Sequence, residues 1–409
     1  MFQEIRYLPV HWIDGMKINE DHFKQMELSI ADQARDAAGV SLNNFNYGLV
    51  SAASENDKSL DVKIQVDQTK LISADLLKCR AITRSGARIE IVSNLAQKYH
   101  FTFEELSTSF NAGESKAKSF YLIINSNPYE RVPVGQPDTD EVPPRLPYTI
   151  PAYSLNILPG DQLNNNSIPD FFIPIGKILL SGGRLSVDTS YIPPCCSVRN
   201  HSLLYDYYYD FGNKLGELSK SLITIIHKIK TKSQSTSLTQ NFNFMAEKVV
   251  FFTANELSRY RWIVAEQPPV HMLEYFIRFA YVLKTSLDCL VDRDKEELIN
   301  YLSEWSDVNT GQFESVLTDV IRTEYNHLDI SECLVPAERM LSMFNSLFGK
   351  LSQLDFIGKR KGEGSFVRER IVEAETNKKK KKSQSKKAGV FSLINLNFVS
   401  NYETFEYTG

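Results

Sequence analysis

The chain has 409 residues, a formal net charge of -4, and 23% charged against 42% hydrophobic residues. That length allows two or three domains and excludes a single small module, and the near-neutral balance excludes global steering toward nucleic acid or anionic lipid. No apolar run approaches the roughly 18 residues of a membrane span, and the opening MFQEIRYLPVHWIDG has neither a basic n-region nor an apolar h-region, so the chain is expected in the cytosol. Five cysteines without CxxC spacing argue against a disulfide framework or a structural zinc site. The adjacent Cys195 and Cys196 are expected as buried free thiols.

Residues 1–190 read as a β-rich region that opens with a helix. Asn19 is its expected cap, His22, Phe23, Met26 and Ile30 share one face, and the helix ends near Gly39. Strands are expected over Leu60–Val66, over Ala81–Val92 with a turn at Ser85-Gly86, and over Ser119–Ile124. Pro128 to Pro151, rich in proline and acidic residues, reads as an extended surface connection. Phe171–Leu180 and Arg184–Asp188 form a further strand pair across Ser181-Gly182-Gly183, and Tyr191-Ile192-Pro193-Pro194 marks a boundary.

From His201 the hydrophobic period changes from two to about 3.5. Leu204, Tyr208, Phe211, Leu215, Leu218, Leu222, Ile225 and Ile229 recur at alternating spacings of four and three, which places them on one stripe of a helix. Such a stripe packs against another helix; its pattern fits both an ordinary core helix and a supercoiled neck, and does not divide contacts within a chain from contacts between chains. Further helical patterns carry Phe242, Met245, Val249 and Phe252; Met272, Phe276, Phe279, Leu283, Leu287 and Leu290; and Phe313, Leu317 and Val320. Four amphipathic helices with short connections are expected to form a bundle over residues 191–330. In residues 331–409, Pro336 is expected to open a helix, followed by strand-like Ser365–Ala374 and Val390–Val399 on either side of a lysine-rich run, Lys378 to Lys387. The fold class is therefore α+β multidomain: a β-rich region, a four-helix bundle and a small α/β C-terminal piece.

The chemistry of the sequence points away from catalysis. GxGxxG, GxxxxGK[ST], HExxH and GxSxG are all missing, and neither a metal nor an organic cofactor is implied. His11, Asp14 and His22 stand too far apart in sequence for a helical ligand pair, and Asp138, Asp140 and Glu141 sit in the proline-rich loop. The lysine run lacks interleaved aromatic residues, so nucleic acid is not an expected partner. An assembly protein fits these features better than an enzyme.

One stretch carries a family likeness. Val10-His11-Trp12-Ile13-Asp14-Gly15-Met16-Lys17-Ile18-Asn19-Glu20-Asp21-His22-Phe23-Lys24-Gln25 resembles the opening of the TssK family, the baseplate subunit of bacterial type VI secretion systems; Tyr47-Gly48-Leu49, Phe172 to Ile178 and Tyr191 to Cys195 resemble later marks in the same order. Gln267-Pro268-Pro269 leading into Leu273-Glu274-Tyr275 is a weaker match to a neck helix. The resemblance implies a phage receptor-binding-protein-like shoulder (1–190), a four-helix neck (191–330) and a small head (331–409), assembled as a homotrimer, with part of the Leu204 to Ile229 stripe buried within the protomer and part between protomers. It implies TssF/TssG-like wedge proteins as shoulder partners and a membrane-complex subunit as head partner, with no membrane insertion of the chain itself. Residue by residue it points to Trp12, Gly15, Met16, His22 and Phe23 as the shoulder anchor. Trp12 and Phe23 also fit plain core packing, and Gly15 a turn. A phage or phage-tail adsorption protein of the same architecture is the alternative. The tail beyond residue 331 has no match to the family head.

Overall fold

The computed structural model describes residues 4–54, 57–92, 97–102, 119–163, 170–306 and 309–359. All belong to a compact unit spanning Met1–Lys361; the expected strands Ser365–Ala374 and Val390–Val399 and the lysine run lie outside the described residues.

The fold is α+β, with two antiparallel sheets and seven α-helices among the described residues. Helix α1 (Glu20–Gly39) starts where Asn19 and His22 form a reciprocal capping box, with Glu20 and Asp21 favouring the positive helix end. The first sheet centres on β3 (Leu71–Ile82). Along one side of β3 lie β1 (Gly48–Leu49) and β2 (Leu60–Val66), and along the other β4 (Arg88–Ile91) and β5 (Gln97–Thr102). The second sheet has the order β7-β6-β8-β9, from β6 (Ser119–Val134), β7 (Tyr148–Pro159), β8 (Phe172–Ser181) and β9 (Arg184–Val187). Gly182 and Gly183, both at positive φ, make the two-residue turn between β8 and β9 that matches strand twist.

The proline-rich stretch corrects the sequence reading, since much of Pro128 to Pro151 is strand. β8 covers only Ser119–Asn125 of β6, so beyond Ser126, whose N–H donates to Phe171 O, β6 and β7 form a two-stranded ribbon whose outer edges pair with no other strand among the described residues. Proline's missing N–H costs no ladder hydrogen bond at such an edge, and a register shift between Asn127 and Arg131 accommodates Pro128.

The helices are α2 (Ser202–Thr231), α3 (Ser237–Trp262), α4 (Val270–Asp288), α5 (Asp292–Trp305), α6 (Thr310–Ile321) and α7 (Ile330–Gln353). All eight residues of the α2 stripe are buried within this one chain, and six of them are fully inaccessible. α3 returns antiparallel to α2, with Tyr208 stacked on Tyr260 at one end and Lys230 paired with Glu247 at the other. α5 was not expected from the sequence, because its charged first turn, Asp292-Arg293-Asp294, masks the short apolar stripe of Leu298, Ile299 and Leu302.

α7 also departs from expectation. Pro336 lies inside it, and the helix begins six residues earlier, at Ile330. It runs parallel to α2, joined by Lys214 to Ser342, Asn345 to Glu217, and Lys228 to the carbonyls of Ser352 and Leu354. Its start is fixed from outside the helix. Ile330 N–H donates to Ile192 O at 3.2 Å, and the Asp329 carboxylate, with no solvent exposure, accepts from Lys177 Nζ of β8 at 2.6 Å and from Tyr121 Oη of β6 at 3.0 Å. Lys177, only 4% exposed, reaches Glu332 at 2.6 Å as well. A buried carboxylate is tolerable only with such partners, so the second sheet and the bundle are locked together at this point.

Lys177→Met should lower the stability measured by urea unfolding by about 3–5 kcal/mol, because it strands Asp329 without a cation. Lys177→Met combined with Asp329→Leu should recover most of that loss. A double variant as unstable as the single one would show that the ion pair is not the lock.

Candidate partner-binding site

α1 buries the opposite face from the one its apolar pattern suggests. Its buried residues are Ser29, Asp32 and Arg35, while Phe23 and Ile30 are exposed. The reason is the segment before the helix, residues 4–19, which has no strand or helix of its own and needs acceptors for its backbone. Asp32 supplies them: Oδ2 accepts from Arg6 N–H at 2.8 Å and Tyr7 N–H at 3.0 Å. Its Oδ1 accepts from Tyr129 Oη at 2.6 Å and Arg35 Nη1 at 3.1 Å. The Tyr7 ring lies 5.2 Å from that of Tyr129, the Arg6 guanidinium stands over the same ring, and Gln25 Nε2 donates to Leu8 O at 2.8 Å. Tyr129 comes from β6, so helix, sheet and arm meet at a single carboxylate.

Burial pushes the Asp32 carboxyl up, but the hydrogen bonds from Tyr129, Tyr7 and Arg6, together with the Arg35 charge, outweigh it and hold the group below the usual carboxylate range.

The five residues singled out by the family likeness come together on this arm. Met16 N–H donates to Ile13 O at 3.3 Å across a turn whose Gly15 has φ +79°, a conformation that other residues adopt only under strain. A side chain at Gly15 would meet no neighbour within 4 Å, so the requirement is conformational rather than steric. The turn brings Trp12 back over α1, with its ring 5.9 Å from His22 and 6.5 Å from Phe23. His22 accepts from Asn19 N–H in the capping box, which fixes its ring. Trp12 remains 45% exposed, Phe23 51% and Leu8 69%, and Ile13, Ile18 and Ile5 are exposed beside them. Simple core packing of Trp12 and Phe23 is thereby corrected: both face solvent.

Such a surface offers no nucleophile and no general acid or base in a buried setting; it offers apolar anchors held by a rigid backbone, the chemistry of a protein contact. Among the described residues no group of three or more His, Cys, Asp or Glu side chains could hold a metal ion. Cys195 is buried, and burial pushes the Cys196 thiol up to about 12, away from thiolate chemistry. Sequence reasoning missed Asp32, Arg35 and Tyr129. In sequence, Asp32 and Arg35 look like an ordinary i, i+3 pair on a solvated face, and Tyr129 follows a proline.

Asp32→Ala should free the arm while leaving the bundle intact, raising tryptic cleavage after Arg6 or Lys17 by roughly tenfold or more, since hydrogen bonds to a buried charge contribute about 1.5–3 kcal/mol. Because the folded carboxyl titrates lower than the unfolded one, the wild-type clamp is fully present above about pH 4 and is lost as pH falls through the folded value. Arm cleavage that does not rise on acidification would overturn this account.

No family model matches the chain, and no curated protein matches it. Solved structures do. A crystal structure of TssK is 14% identical with a TM-score of 0.46, over 83% of this chain and 69% of that one. The TssK-TssF-TssG baseplate subcomplex of the type VI secretion system gives 12% identity and 0.43, over 84% of this chain and all of the matched chain. The baseplate complex from the type VI secretion system gives 13% and 0.46, over 84% and 99%. Each of these likenesses covers more than four fifths of this chain, at 12–14% identity.

Proposed function

We propose that this chain is a TssK-like structural subunit of a type VI secretion baseplate, a trimeric connector that joins wedge proteins of the TssF/TssG kind to a membrane complex and catalyses no reaction. The observation that supports it most directly is the arm: its backbone is fixed by a buried carboxylate while Trp12 and Phe23 are held out into solvent. Exposing large apolar groups on a rigid frame costs stability and gains affinity only if a partner covers them. In this reading residues 1–190 are the shoulder, 191–330 the neck and 331–409 the head, with α7, the head's first helix, lying along the neck. The head carries the contact to the membrane complex, and the chain works at the cytoplasmic face of the inner membrane. No helix among the described residues is long and apolar enough to cross a membrane.

Trimer contacts have to come from a surface other than the α2 stripe, which is buried within the protomer. The outward faces of α2 and α3 carry the candidates. Tyr205, Tyr209 and Ile223 are exposed on α2, and Phe244, Phe251 and Trp262 on α3, where spacings of 7 and 11 residues put them in one row.

Trp12→Ala with Phe23→Ala should leave urea unfolding within about 0.5 kcal/mol of wild type, because neither ring is buried. The same variant should lose co-purification with a TssG-like wedge protein. Retained binding would remove the arm as anchor. Light scattering should show a trimer that Phe251→Ser with Trp262→Ser converts to folded monomer, whereas Leu218→Asp should unfold the protomer itself. A strictly monomeric wild type would sink the connector reading.

A further inference from the structure

A small cavity of about 200 Å³ opens where α3 ends and α4 begins. Glu256 and Arg259 line it from α3, Ile263 from the residue after that helix, and His271, Glu274, Tyr275 and Arg278 from α4. Tyr275 is only 3% exposed, and its ring is held by Phe252 at 5.6 Å and Tyr260 at 4.9 Å. Its Oη nevertheless has no hydrogen-bond partner among the described residues. A buried hydroxyl left in that state is costly, and the cost is removed if a group entering the cavity bonds to it.

Charge does not choose the occupant. Glu256 holds Arg278 at 2.6 Å, Glu274 lies 3.9 Å from Arg278 and 3.7 Å from His271, and the exposed Arg259 pairs with no acid among the described residues. The two arginines balance the two glutamates, so above the titration range of histidine the lining selects neither an anion nor a cation. It suits a neutral group that lays a flat ring against the Arg259 guanidinium and offers an N–H to the Tyr275 oxygen. An indole has both features, and the space is sufficient, since a protein cavity of about 150 Å³ already takes benzene. Such a group stands beside the cavity: Trp262, the residue before Ile263, is 81% exposed and is not among the residues that line it. A projecting ring and a receiving hole on one flank of the same chain make a heterologous pair, in which each copy fills the next and the series closes as a ring.

We propose that this cavity receives the Trp262 indole of a second copy of the chain, which lies against Arg259 and Ile263 and donates its Nε1–H to Tyr275 Oη. The inference rests on the homotrimer reading given above and deepens it, because it assigns the hole into which one of the outward aromatic side chains of α3 fits. The rest of the row, Phe244 and Phe251, then packs around a buried anchor at the end of the helix.

The test is the concentration at which the full chain is half assembled, measured by sedimentation over a dilution series. Trp262→Ala should raise it at least thirtyfold, the loss expected of an aromatic anchor. Trp262→Phe and Tyr275→Phe, which each remove one side of the hydrogen bond and keep a ring in place, should each raise it about fivefold, and the double variant should be no worse than the poorer single one. Additive effects of Trp262→Phe and Tyr275→Phe would overturn the proposal, because they would put Trp262 against some other surface. A trimer that Trp262→Ala leaves unchanged would overturn it as well, while leaving the connector reading in place. A wild-type chain that stays monomeric at every concentration would remove both.

Discussion

The molecule depends on a lysine and an aspartate that no solvent reaches in any quantity. Lys177 projects from a strand and Asp329 precedes a helix, 152 residues apart in the chain, and each is tolerable inside the protein only because the other is there. Around them the packing is apolar, and apolar packing alone is indifferent to small rotations. The ion pair, with Tyr121 on the same carboxylate and Tyr191 donating to Leu328 O at 2.8 Å, makes the relation of second sheet to bundle specific. The pair thus fixes a geometry on which any force passing from sheet to helices would have to act.

The same logic is repeated at the arm with a different outcome. Asp32 is buried and holds backbone amides, so the helix that carries it turns its polar residues inward and its apolar ones outward. An isolated soluble protein gains nothing from that inversion. It becomes intelligible when the exposed side chains are read as the proposed contact surface and the buried polar ones as its support.

Along the bundle, the structure constrains how copies can meet. The α2 stripe is fully engaged by the chain's own helices, with α7 occupying a place beside α2 that the sequence left open. In the proposed trimer, contacts between protomers fall to outward aromatic side chains, a narrower and more polar surface than a shared core.

Periodicity decided much of this protein. The α2 stripe, the Asn19 cap, the glycine turn between β8 and β9 and the change from β-rich to helical at residue 201 all follow from local rules, since each depends on neighbours within a few residues. The opening motif singled out Trp12, Gly15, Met16, His22 and Phe23, and the fold sets the Trp12 ring beside those of His22 and Phe23. Only the tertiary structure decided which side of α1 faces water, that prolines of β6 and β7 sit where no described strand pairs with the outer edge, that α7 belongs beside α2, and that Lys177 and Asp32 are buried. Those outcomes rest on partners outside the local window, from the 25 residues between Tyr7 and Asp32 and the 94 between Arg35 and Tyr129 to the 152 between Lys177 and Asp329. A charged or proline residue carries no local mark of whether a distant group will satisfy it, so burial of such residues is settled by the fold and not by the pattern.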